Sequence, residues 1–189
     1  MPSPIVSFPT LILSRLSAPA PLDSFEIATV EGRLVRLDFG ALNAPALAAR
    51  FGSKPDVRHE PPPAPVAEAL AAWLEGDFAP AQALEADMRG TPFQLRVWAA
   101  LREIPPGETR SYLQIAERIG APKSVRAVGA ANGRNPVSLV VPCHRVIGAD
   151  GSMTGYGGGL PRKIWMLEHE GALKPAPQSA PGSQGSLFG

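Results

Sequence analysis

The chain's single cysteine, Cys143, stands in Pro142-Cys143-His144-Arg145, so a thiol is followed at once by an imidazole and a guanidinium. A free thiol is only a few per cent ionised at neutral pH, and a neighbouring base or cation raises its nucleophilicity by favouring the thiolate. One cysteine cannot close an internal disulfide, and His59, His144 and His169 are too far apart in sequence to offer zinc-ligand spacing. The thiol is therefore either a small core residue or the seat of covalent chemistry. Successive residues of an extended strand point to opposite faces, so adjacency alone brings no contact with His144. Pro142 ends the apolar run 137–141 and favours a bend, which can carry the imidazole to the sulfur directly or through one water.

The elements around this tetrad read as helices with strong boundary signals. Thr91-Pro92-Phe93-Gln94 offers a capping threonine, a proline where its missing N–H does no harm, and a glutamine able to close a capping box. Phe93, Val97, Leu101 and Ile104 then share one face until Pro105-Pro106-Gly107 ends the helix. A second helix opens with Ser111 as cap and Gln114 three residues on, and stops at Gly120; a third runs over about 123–132. Two short helices joined by a tight turn fit the helix-turn-helix plan, although many such pairs serve packing alone. The third helix carries Lys123 and Arg126 among small residues, Ala127, Gly129 and Ala130, which let a backbone approach a groove closely. The run 137–141 reads as a short buried extended segment. A glycine cluster at 155–159 leads into a last helix over 161–170, with Gly171 as its stop.

The first half is different in kind. Apolar runs at 11–16, 25–30 and 34–39 read as strands, the last two flanking a tight Glu31-Gly32 connection, and Val66, Leu70, Trp73 and Leu74 mark one helix face. No reactive constellation is visible there, which implies a supporting role. Dividing the chain near residue 90 separates a net charge of −4 from one of +5, and between Arg110 and Arg145 six basic residues face only Glu117. That excess suits a polyanion. With 44% hydrophobic residues the chain can bury a real core, which excludes a disordered or fibrous protein. No apolar run of membrane-spanning length exists and residues 1–10 carry no secretory leader, so a cytoplasmic protein without membrane association is expected. The expected class is α+β: a small β-sheet with helix over 1–88, a helical winged-helix-like region with the helix-turn-helix over 91–173, and a Pro/Ser/Gly/Gln-rich disordered tail over 174–189.

Pro142-Cys143-His144-Arg145-Val146 resembles the PCHRV signature of the O6-alkylguanine-DNA alkyltransferases, the methylated-DNA–protein-cysteine methyltransferases. The stretches RAVGAANGRNP (126–136), SYLQIA (111–116) and GYGGGLPRKIWMLEHEG (155–171) follow the same family's pattern in order. The resemblance is dense over 91–172 and weak before it. It implies a repair protein that binds double-stranded DNA, rotates an O6-alkylated guanine out of the stack through the minor groove, and transfers the alkyl group irreversibly to its own cysteine, without a cofactor, as a monomer.

By the same resemblance Cys143 is the alkyl acceptor, His144 the base acting through a water, and Glu170 the residue that orients the imidazole. Asn135 braces the bend, Tyr112 crowds the phosphate to drive rotation, and Arg126 fills the vacated place in the stack. Val141, Cys143, Ser111, Tyr156 and Gly157 enclose the extruded base. The chemistry further predicts a thiol acidified by His144 and Glu170; two pKa units correspond to roughly 2.7 kcal/mol. Gly157 stands where several relatives have serine, which leaves only a backbone N–H there, and the absence of cysteine from residues 1–90 predicts no zinc. Two other readings compete: a damage-recognition protein that repairs nothing, whose relatives lack the cysteine, and a Cys/His/Glu hydrolase, which has no use for Arg126.

Overall fold

The computed structural model describes residues 9–51, 56–153 and 155–174. The expected tail lies, apart from Lys174, outside them. Strands β1 (Thr10–Ser17), β2 (Ser24–Val30) and β3 (Arg33–Asp38) form an antiparallel meander. The two-residue connection between β2 and β3 has Glu31 at φ 51° and Gly32 at φ 76°, the paired left-handed geometry whose twist matches a right-twisted hairpin. Helix α1 (Ala44–Ala48) follows, and β4 (Asp56–His59) then adds parallel to β1, giving the order β3-β2-β1-β4. Helices α2 (Ala64–Leu74) and α3 (Ala79–Ala83) complete this region. The short elements α1, β4 and α3 leave no periodic signal in the sequence, being only five, four and five residues long.

Beyond residue 90 the elements are α4 (Pro92–Arg102), β5 (Arg110–Ser111), α5 (Tyr112–Arg118), α6 (Val125–Gly133), β6 (Val146–Ile147) and α7 (Leu160–His169). Both expected capping boxes are formed: Thr91 and Ser111 each accept from the backbone three residues on, and Gln94 and Gln114 reach back. β5 and β6 pair in parallel over two residues. The protein is thus α+β, with a small sheet followed by a helical region.

One apolar cluster joins the two regions. It runs from Phe25, Ile27, Leu37 and Trp73 through Trp98 and Leu101 to Val141, Cys143 and Met166. The other sheet face packs Leu11, Leu13, Ala28, Val30 and Val35 against Leu47 of α1. Arg162 of α7 reaches the β1–β2 turn, 2.9 Å from Asp23. His169 stacks on Trp165 at 4.8 Å and donates from Nε2 to the Trp73 carbonyl at 2.8 Å, pinning the end of α7 to α2.

The expected extended segment at 137–141 is not one. Val137 makes a single bridge to Leu37, after which the chain coils: Leu139 is left-handed at φ 68°, Val140 N bonds Ser138 O, and Val141 N bonds Val137 O. Apolar composition marks this run as buried, but periodicity cannot distinguish a buried coil from a buried strand. No helix among the described residues is long and apolar enough to cross a bilayer.

Candidate active site

Every residue from Asn135 to Val146 is buried, so the chain threads this loop through the interior and its polar groups must be satisfied internally. Asn135 does much of that work. Its Nδ2 donates to the Val141 carbonyl at 2.7 Å and its Oδ1 accepts from Val137 N at 3.0 Å, closing the coil on itself. The Cys143 amide donates to the same Val141 carbonyl at 2.8 Å. Pro142, at φ −78° and ψ 65°, turns the chain into a single 3-10 turn, Cys143–Arg145. From α6, Asn132 Nδ2 donates to the Cys143 carbonyl at 3.3 Å.

The turn sends successive side chains different ways. Cys143, 5% exposed, lies on the wall of a cavity of about 170 Å³ shared with Asn132, Asn135, Ser138, Tyr156, Gly157 and Gly158. That volume is comparable to the ~150 Å³ void that admits a benzene ring. A Cβ on Gly158 would lie 2.8 Å from the Tyr156 ring and would require that ring to shift; at Gly157 a Cβ meets nothing within 4 Å. Larger clefts, of about 620 and 590 Å³, open on the sheet region and hold no cysteine. Val141 and Ser111, expected around the base, do not line the 170 Å³ cavity; the Val141 carbonyl is engaged by Asn135 and Cys143, and Ser111 caps α5.

His144 and Arg145 both turn to Glu170, which caps α7. His144 Nε2 lies 3.1 Å from Glu170 Oε1, close but poorly aligned for a hydrogen bond. Arg145 holds both carboxylate oxygens, at 2.6 and 2.7 Å, and donates to the Ile104 carbonyl at 2.6 Å. All three side chains are fully buried. Burial alone would push Glu170 up, but His144 and the Arg145 hydrogen bonds outweigh it and hold the carboxyl at about 2. The same burial lowers His144 against the opposing pull of Glu170, so the imidazole is neutral near pH 7. A proton on Nε2 suits the facing carboxylate and leaves Nδ1, which has no partner among the described residues, as a free base.

The expected acidified thiol is not found in the free protein. Burial pushes Cys143 above its usual value; hydrogen bonding by Asn135 and Tyr156 and the charge of Lys163 oppose this without cancelling it, and Asp38 adds to it. The physical reason is that Glu170 satisfies Arg145 and faces His144, so neither the Arg145 cation nor the Glu170 carboxylate is directed at the sulfur. The resting protein therefore holds a neutral thiol beside a neutral imidazole. Lys163, also buried, donates from Nζ to the Val146 carbonyl at 2.6 Å and is lowered by burial, with Cys143 opposing.

Tyr112 opens α5, half-buried, with its ring 3.8 Å from where a Cβ on Gly129 would stand. Arg126, Ala127, Ala130 and Lys123 are exposed along α6 and the turn before it. The basic excess of this region is smaller than the sequence count implies: Arg145 is buried on Glu170, Arg110 pairs with Glu108 at 2.6 Å and Arg118 with Glu103 at 2.7 Å. Lys123, Arg126 and Arg134 make no ion pair with a described residue. Sequence reasoning missed three participants. Arg36 and Asp38 of β3 line the cysteine cavity although the sheet region shows no reactive motif, and Asn132 lines it with a buried Oδ1 that has no described partner. Nothing local in the sequence marks Arg36 or Asp38, because only the tertiary bridge of Leu37 to Val137 brings them there.

An α+β protein with its only cysteine on a cavity wall, a buried His–Glu–Arg group close by and a helix pair with an exposed basic face has the parts of a thiol-based covalent site. A family profile described as the DNA-binding domain of 6-O-methylguanine DNA methyltransferase matches residues 92–172. The methylated-DNA–protein-cysteine methyltransferase of Mycolicibacterium paratuberculosis is 58% identical over 109 residues, 58% of this chain and 66% of that protein. The alignment thus spans just under two thirds of that relative's length. The crystal structure of the Mycobacterium tuberculosis O6-methylguanine methyltransferase is 39% identical with a TM-score of 0.73, covering 90% of this chain and 97% of that one. A structure of the Mycobacterium tuberculosis protein in complex with DNA is 40% identical with a TM-score of 0.72, covering 85% and 93%. The chain belongs to the O6-methylguanine-DNA methyltransferase family.

Proposed function

We propose that this protein repairs DNA by direct, irreversible transfer of the alkyl group from O6-alkylguanine to Cys143. The observation that carries the reading is the placement of the only cysteine on the wall of a cavity of about 170 Å³, with a neutral imidazole next along the chain and the buried Glu170 carboxylate behind that imidazole. The Cys143 thiol gives its proton through a water to His144 Nδ1, and Glu170 stabilises the imidazolium that forms. Sulfur attacks the alkyl carbon, the carbon–O6 bond breaks with its electron pair on oxygen, and the departing guanine takes back one proton. A thioether and guanine are the products. The substrate brings the alkyl group, so no cofactor enters, and each molecule acts once.

A guanine inside a duplex cannot reach a buried sulfur, so the base must leave the stack at a cost of a few kcal/mol. α5 and α6 act as a helix-turn-helix in a winged-helix-like setting, placed on the minor groove, where width and backbone are read more than sequence. Arg126 occupies the gap left in the stack, Tyr112 crowds the phosphate, and Lys123 with the small residues Ala127, Gly129 and Ala130 allows close approach. The Cys143 backbone, Tyr156 and Gly157 enclose the base; Asn135 holds the loop that presents the sulfur. The protein acts as a monomer on double-stranded DNA.

Intact-protein mass after incubation with a duplex holding one O6-methylguanine tests the reading. One added methyl on the wild type and none on Cys143→Ala is expected. Unchanged mass despite tight lesion binding overturns transfer and leaves damage recognition.

A further inference from the structure

The cysteine cavity has a wall that the helical region does not supply. Leu37 of β3 is clamped on both sides of its peptide to the active-site loop: its N–H donates to the Pro136 carbonyl at 3.0 Å and its carbonyl accepts from Ser138 N at 2.9 Å. This clamp forces the side chains on either side of Leu37, Arg36 and Asp38, to the same edge of the strand, where both line the cavity with Cys143. The two form an ion pair, and Asp38 Oδ1 is fixed by the Phe39 N–H at 2.8 Å. They also border a second cavity of about 240 Å³ lined by Asn43 and Arg50, so the pair is a partition between two solvent-reaching spaces.

We propose that Asp38, balanced by Arg36, is a positioning residue of the alkyl-acceptor site: from the sheet region it places an anionic oxygen on the wall of the cysteine cavity and so opposes negative charge on sulfur while no substrate fills the cavity. The inference rests on the reading of Cys143 as acceptor. The charged and titratable groups around the sulfur are Asp38 and Arg36 from β3, Tyr156 from the glycine-rich loop, Lys163 from α7, and His144 and Arg145 of its own turn, the last two directed at Glu170. Among these Asp38 acts in the same direction as burial in disfavouring the thiolate, whereas Lys163 opposes it. A buried acceptor that can react only once gains from such restraint, since small electrophiles in solution would otherwise spend it.

The test reads the free protein with iodoacetamide, without DNA. Cys143 is the only cysteine, so carboxamidomethylation followed by mass reports this sulfur alone. In Asp38→Asn, whose amide oxygen keeps the Phe39 bond and leaves Arg36 unbalanced, the midpoint of the pH–rate profile falls by about half a unit, about threefold more thiolate at pH 7. In Arg36→Met, which leaves Asp38 unbalanced, it rises by a similar amount. Asp38→Glu keeps the wild-type profile. Opposite signs from the two members of one ion pair are not produced by loosened packing, which exposes the thiol and moves both variants the same way. Shifts of the same sign, or no shift in either, overturn the proposal. If Asp38→Asn loses its folded thermal transition, Arg36→Met alone decides: an upward shift supports the proposal, and an unchanged or lower midpoint overturns it. Because the assay needs no lesion, its outcome is separate from that of the methyl-transfer experiment.

Discussion

The sheet region and the helical region meet at one cavity and bring unlike things to it. The helical side supplies the sulfur, the imidazole, the carboxylate behind it and the asparagines that shape the loop. The sheet side supplies two backbone hydrogen bonds, through Leu37, and one ion pair. Backbone hydrogen bonds can be made by almost any residue, whereas a nucleophile or a base cannot be exchanged. The sheet region thus takes part in the site mainly through where its backbone lies, and the helical region through the chemistry of its side chains.

The two regions differ most at Cys143. Cys143→Ala removes the only acceptor and is expected to abolish methyl transfer while leaving affinity for lesion duplex near wild type, measured by mass and by equilibrium binding. Loss of both together points to a folding defect. Next in size is Glu170→Gln. It leaves Arg145 buried without a carboxylate, a change that costs about 3–5 kcal/mol of stability. The pH dependence has a definite sign. Glu170 is depressed from its ordinary 4.5 to about 2, so it contributes stability above pH 4.5 that is lost as pH falls toward 2. His144 is depressed as well, so protonation of the unfolded chain below its ordinary 6.5 adds to the acid loss. Denaturant titrations from pH 7 to pH 3 are expected to show stability falling for the wild type, with the lower part of that fall absent from Glu170→Gln. An identical pH profile in the variant contradicts the buried pairing.

Arg126→Ala is expected to slow repair in duplex roughly tenfold or more and in single strands far less, because only a duplex leaves a gap to fill. Equal loss in both removes the insertion role. Wild-type affinity for duplex is expected to weaken with added salt, as Lys123, Arg126 and Arg134 displace counterions from the phosphates, and a salt titration of Arg126→Ala is expected to show a shallower slope.

What could be read from sequence follows the same division. The capping boxes at Thr91 and Ser111, the Glu31-Gly32 hairpin and the bend at Pro142 are local events, set by residues within four positions of one another, and the structure contains each of them. The docking of the 137–141 coil on β3, the facing of His144 and Glu170, and the entry of Arg36 and Asp38 into the cavity depend on contacts between residues about 25 to 100 positions apart. Glu170 reaches Arg145 across 25 positions, and Leu37 reaches Val137 across the whole interval between the regions. Spacing rules hold no information about such pairs. A smaller test of the local reading is Ser111→Ala, which removes the cap bond to Gln114 N at 3.1 Å and is expected to cost about 1 kcal/mol in denaturant titration. An unchanged stability denies that the box holds α5.

The smallest effect belongs to the sheet region and separates two ways in which it can influence the site. Glu31 sits at φ 51° with an exposed side chain, a conformation that glutamate adopts less readily than asparagine. Glu31→Asn is therefore expected to stabilise the protein by about 0.5 kcal/mol, read as a rise in the thermal midpoint. The turn is the one that sets the register of β3 against β2, yet it carries no atom to the cavity. If the sheet acts on Cys143 only through the charges on β3, Glu31→Asn raises stability and leaves both the iodoacetamide profile and the methyl-transfer rate unchanged. A stabilised variant whose sulfur also reacts at a different rate instead makes the rigidity of β3, rather than the charge on Asp38, the quantity that the sheet region transmits.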